Sequence, residues 1–255
     1  MIIPKKLYKF MPLEPDKNNP FNNNRLVKFL RNKLLRVSQG KVLNDPYEFY
    51  PFGLDHLIIS SLAPKNTQVT IEQLADGQQA FTGVLSFTSS KKNIPMWSHY
   101  ADDHNGFVIE FDSENKFFKK IKPVNYTKNR PQSKETLSIT DENSFFNKSI
   151  QWKYEKEWRI IESLYNCDYY IDSEKKIFEP NPKRVDNFPW KSPDMYFKEV
   201  PSESIVSITF GSRVKEEDIS IIKLIITETH NLNHIKLYTT SLNTDNYELS
   251  FNKRQ

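Results

Sequence analysis

The sequence predicts an α+β fold, a single domain over residues 1–255 with a mixed, mostly antiparallel sheet core and flanking helices. Three observations predict it. Stretches that alternate apolar and polar residues outnumber stretches with helical spacing. The strands do not alternate regularly with helices, which argues against a parallel doubly wound sheet. Glycine is scarce, at 6 residues, and neither GxGxxG nor GxxxxGKS/T is present, so no glycine-rich phosphate loop organises the chain.

The elements follow in order. Leu7 to Phe10 reads as a short strand, and Pro12 to Asn24, rich in proline and asparagine, as a loop. Arg25 to Leu35 places Leu26, Phe29, Leu30 and Leu34 near helical spacing, and a strand follows at Leu35–Val37, ending near Gly40. Asn44 to Glu48 is a turn, because Asp45 precedes Pro46 and leaves the helical region. Helices are expected at 51–62 and 71–80. Gly83 to Ser90 alternates as a strand with a hydroxyl-rich end, Pro95 to His99 opens a short helix, and strands follow at Gly106–Phe111 and Ile121–Tyr126. Lys128 to Ser144 is polar and expected to be mobile; Phe145 to Tyr154 is expected as helix and Lys156 to Glu162 as strand. Four prolines make 180–193 an extended loop. Ser204–Gly211 is a strong strand and Glu216–Asn231 the best helix, with Ile219, Ile222 and Ile226 on one face. Strands at Ile235–Thr239 and Tyr247–Phe251 close the sheet.

Composition narrows the function. Hydrophobic content of 37% and charged content of 27% belong to a soluble globular chain, and 18 Phe with 12 Tyr make its core aromatic. A net charge of +4, from 36 basic and 32 acidic residues, is too balanced to demand a nucleic-acid partner. The single Cys167 excludes an internal disulfide and a cysteine-cluster metal site. No apolar run approaches the roughly 20 residues of a membrane span, so a cytoplasmic protein with no membrane partner is expected.

Two dense segments carry the chemistry. The run Ile94–Phe111 packs Trp97, His99 and Tyr100 into four residues ahead of an Asp/His/Asn/Gly turn. His99 can donate, accept or transfer a proton near neutral pH, and Tyr100 can stack or donate. The plainer alternative makes Trp97 and Tyr100 core residues of a short helix. His99 and His104, five apart with Asp102 and Asp103 between, match no metal-ligand spacing, and no metal is expected. The second segment is Trp152 to Ile161. Glu155 and Glu157 are two apart, so on a strand they face one side and can enter one cleft. Two close carboxylates push one pKa upward, and an ionised one stabilises developing positive charge. Alternatively they pair with Arg159, Lys153 or Lys156. Asn44 and Asp45 hold a turn or shape a pocket rim. Ser86, Thr88, Ser89 and Ser90 can offer hydroxyls to a ligand, whereas Ser98–His99 lacks a nucleophile elbow.

Together these motifs resemble a bacterial family, domain of unknown function 2971. The matching segments are Leu7–Phe10, Asn44–Glu48, Phe87–Ser89, Met96–Ala101, Tyr154–Arg159 and Ile208–Gly211, and the resemblance spans nearly the whole chain. The family name implies no activity. A more distant similarity is to ADP-ribosyltransferases, which bind NAD in a cleft between two small sheets without a glycine-rich loop. The order Tyr8-Lys9, then Ser86 to Ser90, then Glu155-x-Glu157 is similar to theirs, although no Arg or His occupies the first strand and Phe87 interrupts the Ser-Thr-Ser order. That similarity implies NAD as substrate, Glu157 as catalytic residue, Glu155 as the residue orienting the acceptor and Ser89 as support for the NAD ribose. A protein or nucleic acid would be the acceptor, and a toxin or antiviral effector the biological setting. Three readings stay open: an NAD-consuming enzyme acting through Glu157, Glu155 and His99; a non-catalytic nucleotide or nucleic-acid binding module using Trp97, Tyr100, Trp158, Arg159, Lys91 and Lys92; and a buried aromatic and ion-pair network that organises the fold.

Overall fold

Burial on both faces builds the first strand. β1 (Lys6–Met11) buries Leu7 in the main core on one side and Phe10 against Met96 and Trp97 on the other. The computed structural model describes residues 2–13, 25–49, 81–130, 145–172, 178–181 and 195–254. The helices expected at 51–62 and 71–80 lie outside the described residues, as do most of the loop at 12–24 and the larger parts of the stretches 128–144 and 180–193.

The helix α1 (Arg25–Asn32) buries Leu26, Val27, Phe29 and Leu30. It stops short of Leu35 because Lys33 is left-handed, at φ 53°, and β2 (Leu34–Val37) begins at once. β3 (Thr82–Thr88), α2 (Ile94–Tyr100) and β4 (Phe107–Asp112) follow, with Pro95 in the first turn of α2, where its missing N–H costs nothing. The strand expected at Ile121–Tyr126 is divided into β5 (Lys122–Pro123) and β6 (Asn125–Thr127). Pro123 cannot donate to a ladder, so pairing changes partner there. The helix expected at Phe145–Tyr154 is absent: β7 (Asn147–Ser149) is extended, and a 3₁₀ turn over Ile150–Glu155 starts where the Ser149 hydroxyl accepts from the Gln151 N–H. Then come β8 (Glu157–Ser163), β9 (Tyr169–Ile171), β10 (Phe178–Pro180), β11 (Met195–Glu199), β12 (Ile205–Phe210), α3 (Glu216–Glu228), β13 (Lys236–Leu242) and β14 (Leu249–Lys253).

The α+β class holds. Eight strands form one sheet in the order β14-β13-β12-β4-β1-β3-β8-β5, antiparallel except for β12 and β13, which α3 joins as a parallel crossover. A second sheet runs β10-β9-β11-β2, all antiparallel, and β6 pairs with β7 in parallel. α1 packs against α3, and the core is aromatic as composition implied: Phe87, Phe111 and Phe118 meet edge to face or tilted at 5.2–5.7 Å.

The large sheet has one weak seam. β1 pairs with β4 from Lys6↔Asp112 to Met11↔Phe107, and β3 with β8 from Thr82↔Ser163 to Thr88↔Glu157. Between β1 and β3 the register is the single pair Tyr8↔Thr88. Farther along the same edge of β3, Val84 exchanges both backbone hydrogen bonds with Ser38, just past β2, at 2.8 and 2.9 Å. The edge is therefore held at Thr88 and Val84 and open at Ser86. There the side chain of Lys9 donates to the Ser86 carbonyl at 2.9 Å, supplying what a neighbouring strand would have supplied.

The loop after α2 packs against the start of β4 and the end of β12. Asp102, Asp103 and His104 are all left-handed, at φ 49°, 49° and 70°, and the chain then passes close beside Gly106 and Gly211. A Cβ on Gly211 would lie 2.1 Å from the His104 carbonyl oxygen, against backbone that cannot yield. Gly211→Ala is expected to cost about 1–3 kcal/mol as an overpacking substitution, measured as a lowered thermal midpoint; an unchanged midpoint would show that this contact relaxes freely.

Candidate functional site

Strand alternation starts the site. Glu157 and Arg159 share one face of β8, and the pair is bidentate: Arg159 Nε donates to Glu157 Oε1 at 2.7 Å and Nη2 to Oε2 at 2.8 Å. Arg159 Nη2 also donates to Glu48, and Nη1 to the Phe145 carbonyl at 2.7 Å. Lys148, from β7, closes the circle. Its ammonium lies 2.8 Å from Glu48 Oε1, 2.6 Å from Glu155 Oε2 and 3.2 Å from Glu157 Oε2. The Trp152 ring lies over Lys148 and the Phe49 ring over Arg159. The Tyr126 hydroxyl accepts from the Glu157 N–H at 2.8 Å. The Tyr100 hydroxyl donates to Glu155 Oε1.

Glu155 and Glu157 therefore meet, but not for the expected reason. Glu155 belongs to the 3₁₀ turn, and Lys156 between the two acids is left-handed at φ 47°. The shared ammonium of Lys148, not strand alternation, brings the carboxylates together. Among the described residues no group of His, Cys, Asp and Glu is arranged to hold a metal ion, and the three glutamates converge on an amine.

Three carboxylates face two cations, so one carboxylate charge in the network is uncompensated. Burial pushes the Glu157 carboxyl upward, but Arg159 and Lys148 outweigh it and hold it at about 2. Burial also raises Glu155, Glu157 adds to the rise, and Lys148 and Tyr100 offset only part of it. Burial and the Glu155 charge raise the Tyr100 hydroxyl well above its ordinary range. Glu157 is thus the clamped carboxylate and Glu155 the one that carries the excess.

Above this network lies a cleft of about 630 Å³ at the β1–β3 seam. Of the residues singled out by sequence, Tyr8, Lys9, Asn44, Ser86, Thr88, His99, Tyr100, Glu155 and Glu157 line it. His99 is exposed at its edge, with Nδ1 3.1 Å from the Tyr154 hydroxyl. Five others do not line it. Trp97 is 0% exposed, packed edge-on to Phe10 with its indole N–H on the Lys91 carbonyl, so it cannot stack on a ligand. Arg159 is 1% exposed and committed to Glu157 and Glu48, so it cannot meet a phosphate. Trp158 is likewise buried in the core. Ser89 donates its backbone N–H to the Lys156 carbonyl outside the cleft, and Asp45 faces a different cavity.

Four residues of the site escaped sequence reasoning: Glu48, Lys148, Arg25 and Arg36. Glu48 stood inside a quoted turn motif, and Arg36 interrupts the apolar strand Leu34–Val37, which were the available signals. Lys9, Arg25 and Arg36 form a cationic stretch of the cleft wall. Burial, reinforced by Arg25, pushes the Lys9 ammonium down to about 8 against the pull of Glu157, and burial and Arg25 lower Arg36. Arg36 Nε is buried without a hydrogen-bond partner, and neither Lys9 nor Arg36 has an ion-pair partner among the described residues.

Residues 96–160 match a protein family described as protein of unknown function (DUF2971). The matched stretch runs from α2 into β8 and contains His99, Tyr100, Lys148, Glu155, Glu157 and Arg159, while the likeness at Leu7–Phe10, Asn44–Glu48 and Ile208–Gly211 rests on those motifs alone. No curated protein and no solved structure matches the chain. No helix among the described residues is long and apolar enough to cross a membrane.

Removing one member of a buried ion network leaves its partner charged and unpaired, typically at a cost of about 3–5 kcal/mol. Glu157→Gln is expected to destabilise the fold on that scale, read by denaturant unfolding. The pH dependence has a definite sign: the Glu157 carboxyl is depressed from 4.5 to about 2, so its contribution is full above 4.5 and is lost as pH falls toward 2. An acid-unfolding curve identical for wild type and Glu157→Gln would contradict this.

Proposed function

We propose that the cleft binds a pyrophosphate-bearing nucleotide, with NAD as the candidate, and that its nicotinamide–ribose bond reacts. The observation that carries this is one cleft of about 630 Å³ holding both a cationic wall, Lys9, Arg25 and Arg36, and the carboxylate of Glu155. The volume suits a nucleotide-sized ligand. Phosphate oxygens are the natural partners of guanidinium and ammonium groups, and among the described residues Lys9 and Arg36 have no ion-pair partner. Of the segments aligned with the ADP-ribosyltransferase order, Tyr8 and Lys9 on β1, Ser86 and Thr88 on β3, Glu157 on β8 and Glu155 in the turn before it line this cleft.

The chemistry follows from charge. As the C1′–N bond of the nicotinamide riboside breaks, its electrons leave with neutral nicotinamide and the ribose carbon becomes oxocarbenium-like. Water or an acceptor then forms the new bond at C1′ and loses a proton. A carboxylate beside C1′ lowers the energy of the cationic state. The resemblance implied Glu157 for this role, but Glu157 faces two cations, Arg159 and Lys148, whereas Glu155 faces Lys148 alone. The uncompensated charge belongs to Glu155, which Tyr100 and Lys148 hold in place at the cleft. Glu155 is therefore the catalytic carboxylate in this proposal, Glu157 positions it through Lys148, and His99, exposed at the cleft edge, takes the acceptor's proton. A purely binding cleft would use the cationic wall and leave Glu155 idle; the burial of Trp97, Trp158 and Arg159 removes three of the contacts that reading relied on.

Two measurements separate these readings. NAD consumption by wild type, with cell lysate as a source of acceptor, is expected to fall about 10²–10³-fold in Glu155→Gln, read on folded protein below its lowered thermal midpoint and with NAD affinity retained. Arg36→Ala is expected to weaken NAD binding by about tenfold, the loss of one charge-assisted contact, with wild-type affinity falling as salt rises. Binding without turnover would favour the non-catalytic module; absence of NAD binding by the folded protein would end the NAD proposal.

A further inference from the structure

The Asn44–Glu48 turn serves two cavities. Asn44 and Glu48 line the large cleft, while Asp45 and Tyr47 line a second cavity of about 290 Å³. Lys148 lines both and forms part of the wall between them. Asp45 is 3% exposed. Its Oδ1 accepts from the Tyr47 N–H at 2.9 Å, as expected of an Asx turn, but its Oδ2 is buried without a hydrogen-bond partner among the described residues. A buried carboxylate oxygen left unmatched is costly, and a turn needs only one of the two oxygens. Asp45 lines this cavity together with Thr127, Asn147 and Ser149. At the rim, the Tyr47 ring is 64% exposed, with the Arg130 guanidinium 5.6 Å from its centre, and Lys128 stands beside them.

We propose that this second cavity is a nucleotide site that takes a nucleobase by its N–H edge. Asp45 Oδ2 requires a hydrogen-bond donor. Lys128, Arg130 and Lys148 border the cavity, so a cationic donor such as an alkylamine is repelled, and a neutral donor joined to an anion is favoured. The exposed ring of Tyr47 adds a flat face for stacking. A base carrying a 5′-phosphate meets all three requirements: N–H on Asp45, π-face on Tyr47 and phosphate on Lys128 or Arg130. Guanine, with two donors on one edge, fits best. As a nucleotide site this cavity stands on its own geometry; as the recognition element of an ADP-ribose acceptor it also rests on the NAD reading of the large cleft.

Calorimetric titration of the full chain with GMP tests it, with guanosine, inorganic phosphate and glucose as comparators. GMP is expected to bind, more tightly than guanosine or phosphate alone. Asp45→Asn, which replaces the free acceptor oxygen with a donor, is expected to weaken binding at least tenfold, and Tyr47→Ala about fivefold. Tyr47 is a surface residue, so its variant reports even if Asp45→Asn fails to fold. NAD affinity is expected to be the same in Tyr47→Ala and wild type. The proposal is overturned if GMP fails to bind the folded wild type, if binding is untouched by Tyr47→Ala, if NAD displaces GMP competitively, or if glucose binds in its place. GMP binding with the expected variant pattern but no NAD binding would sink the reading of the large cleft and leave this one standing.

Discussion

The Lys148 ammonium is 4% exposed and lies within 3.2 Å of Glu48, Glu155 and Glu157, and a charge buried that deeply has to be matched before the chain can close around it. The match draws on distant parts of the sequence. Glu48 comes from the turn after β2, Lys148 from β7, Glu155 from a 3₁₀ turn and Glu157 from β8, with Arg159 tying Glu48 to Glu157 from below. Hydrophobic burial brings these elements near one another without choosing their register, because apolar contact is not directional. The ion network does choose. It keeps β7 extended where local spacing favoured a helix, and it sets the Asn44–Glu48 turn against the end of β8.

The seam between β1 and β3 depends on the same arrangement. β3 is paired fully with β8, whose first residue, Glu157, is clamped by Arg159 and Lys148. β1 is paired fully with β4, which is held in turn by β12. Each half of the sheet is locked to its own neighbours, so the junction between them is where the ladder can lapse. It lapses after Tyr8↔Thr88, and the open backbone at Ser86 is met by Lys9. A strand edge usually has to be covered or charged to remain soluble and unpaired. Here a lysine does so from inside the sheet, and the result is a cleft floored by ionised groups.

Much of the fold was legible in the sequence because a strand of period two is a local signal. β1, β3, β4, β8, β12 and β13 all sit within a residue or a few of where alternation placed them, and α3 needed only its isoleucine face. The site was legible in part. Aromatic and imidazole density pointed to α2, and the helix then divided its residues by face, sending Trp97 into the core and Tyr100 to Glu155. Glu155 and Glu157 were visible as a pair, though the left-handed Lys156 between them was not. Lys148, Glu48, Arg25 and Arg36 were silent because their meaning is entirely long-range. A lysine in a polar stretch looks like any solvated lysine until three carboxylates arrive from elsewhere in the fold.

The charge balance of the cleft limits what can occupy it. The network below carries one carboxylate more than its cations neutralise, while Lys9 and Arg36 on the wall lack ion-pair partners among the described residues. The two imbalances do not cancel each other. Lys9 is fixed by the Ser86 carbonyl and lies over the Phe87 ring, and the Glu155 oxygens are already taken by Tyr100 and Lys148. A wholly anionic ligand would satisfy the wall and be repelled by Glu155; a wholly cationic one would do the reverse. A ligand with an anionic pyrophosphate at one point and a carbon that turns cationic at another satisfies both, and does so most fully as the carbon becomes cationic. That difference between ground state and transition state is what separates a catalyst from a binding site, and it is why Glu155, which shares a single cation, matters more to the proposed chemistry than Glu157, which has two.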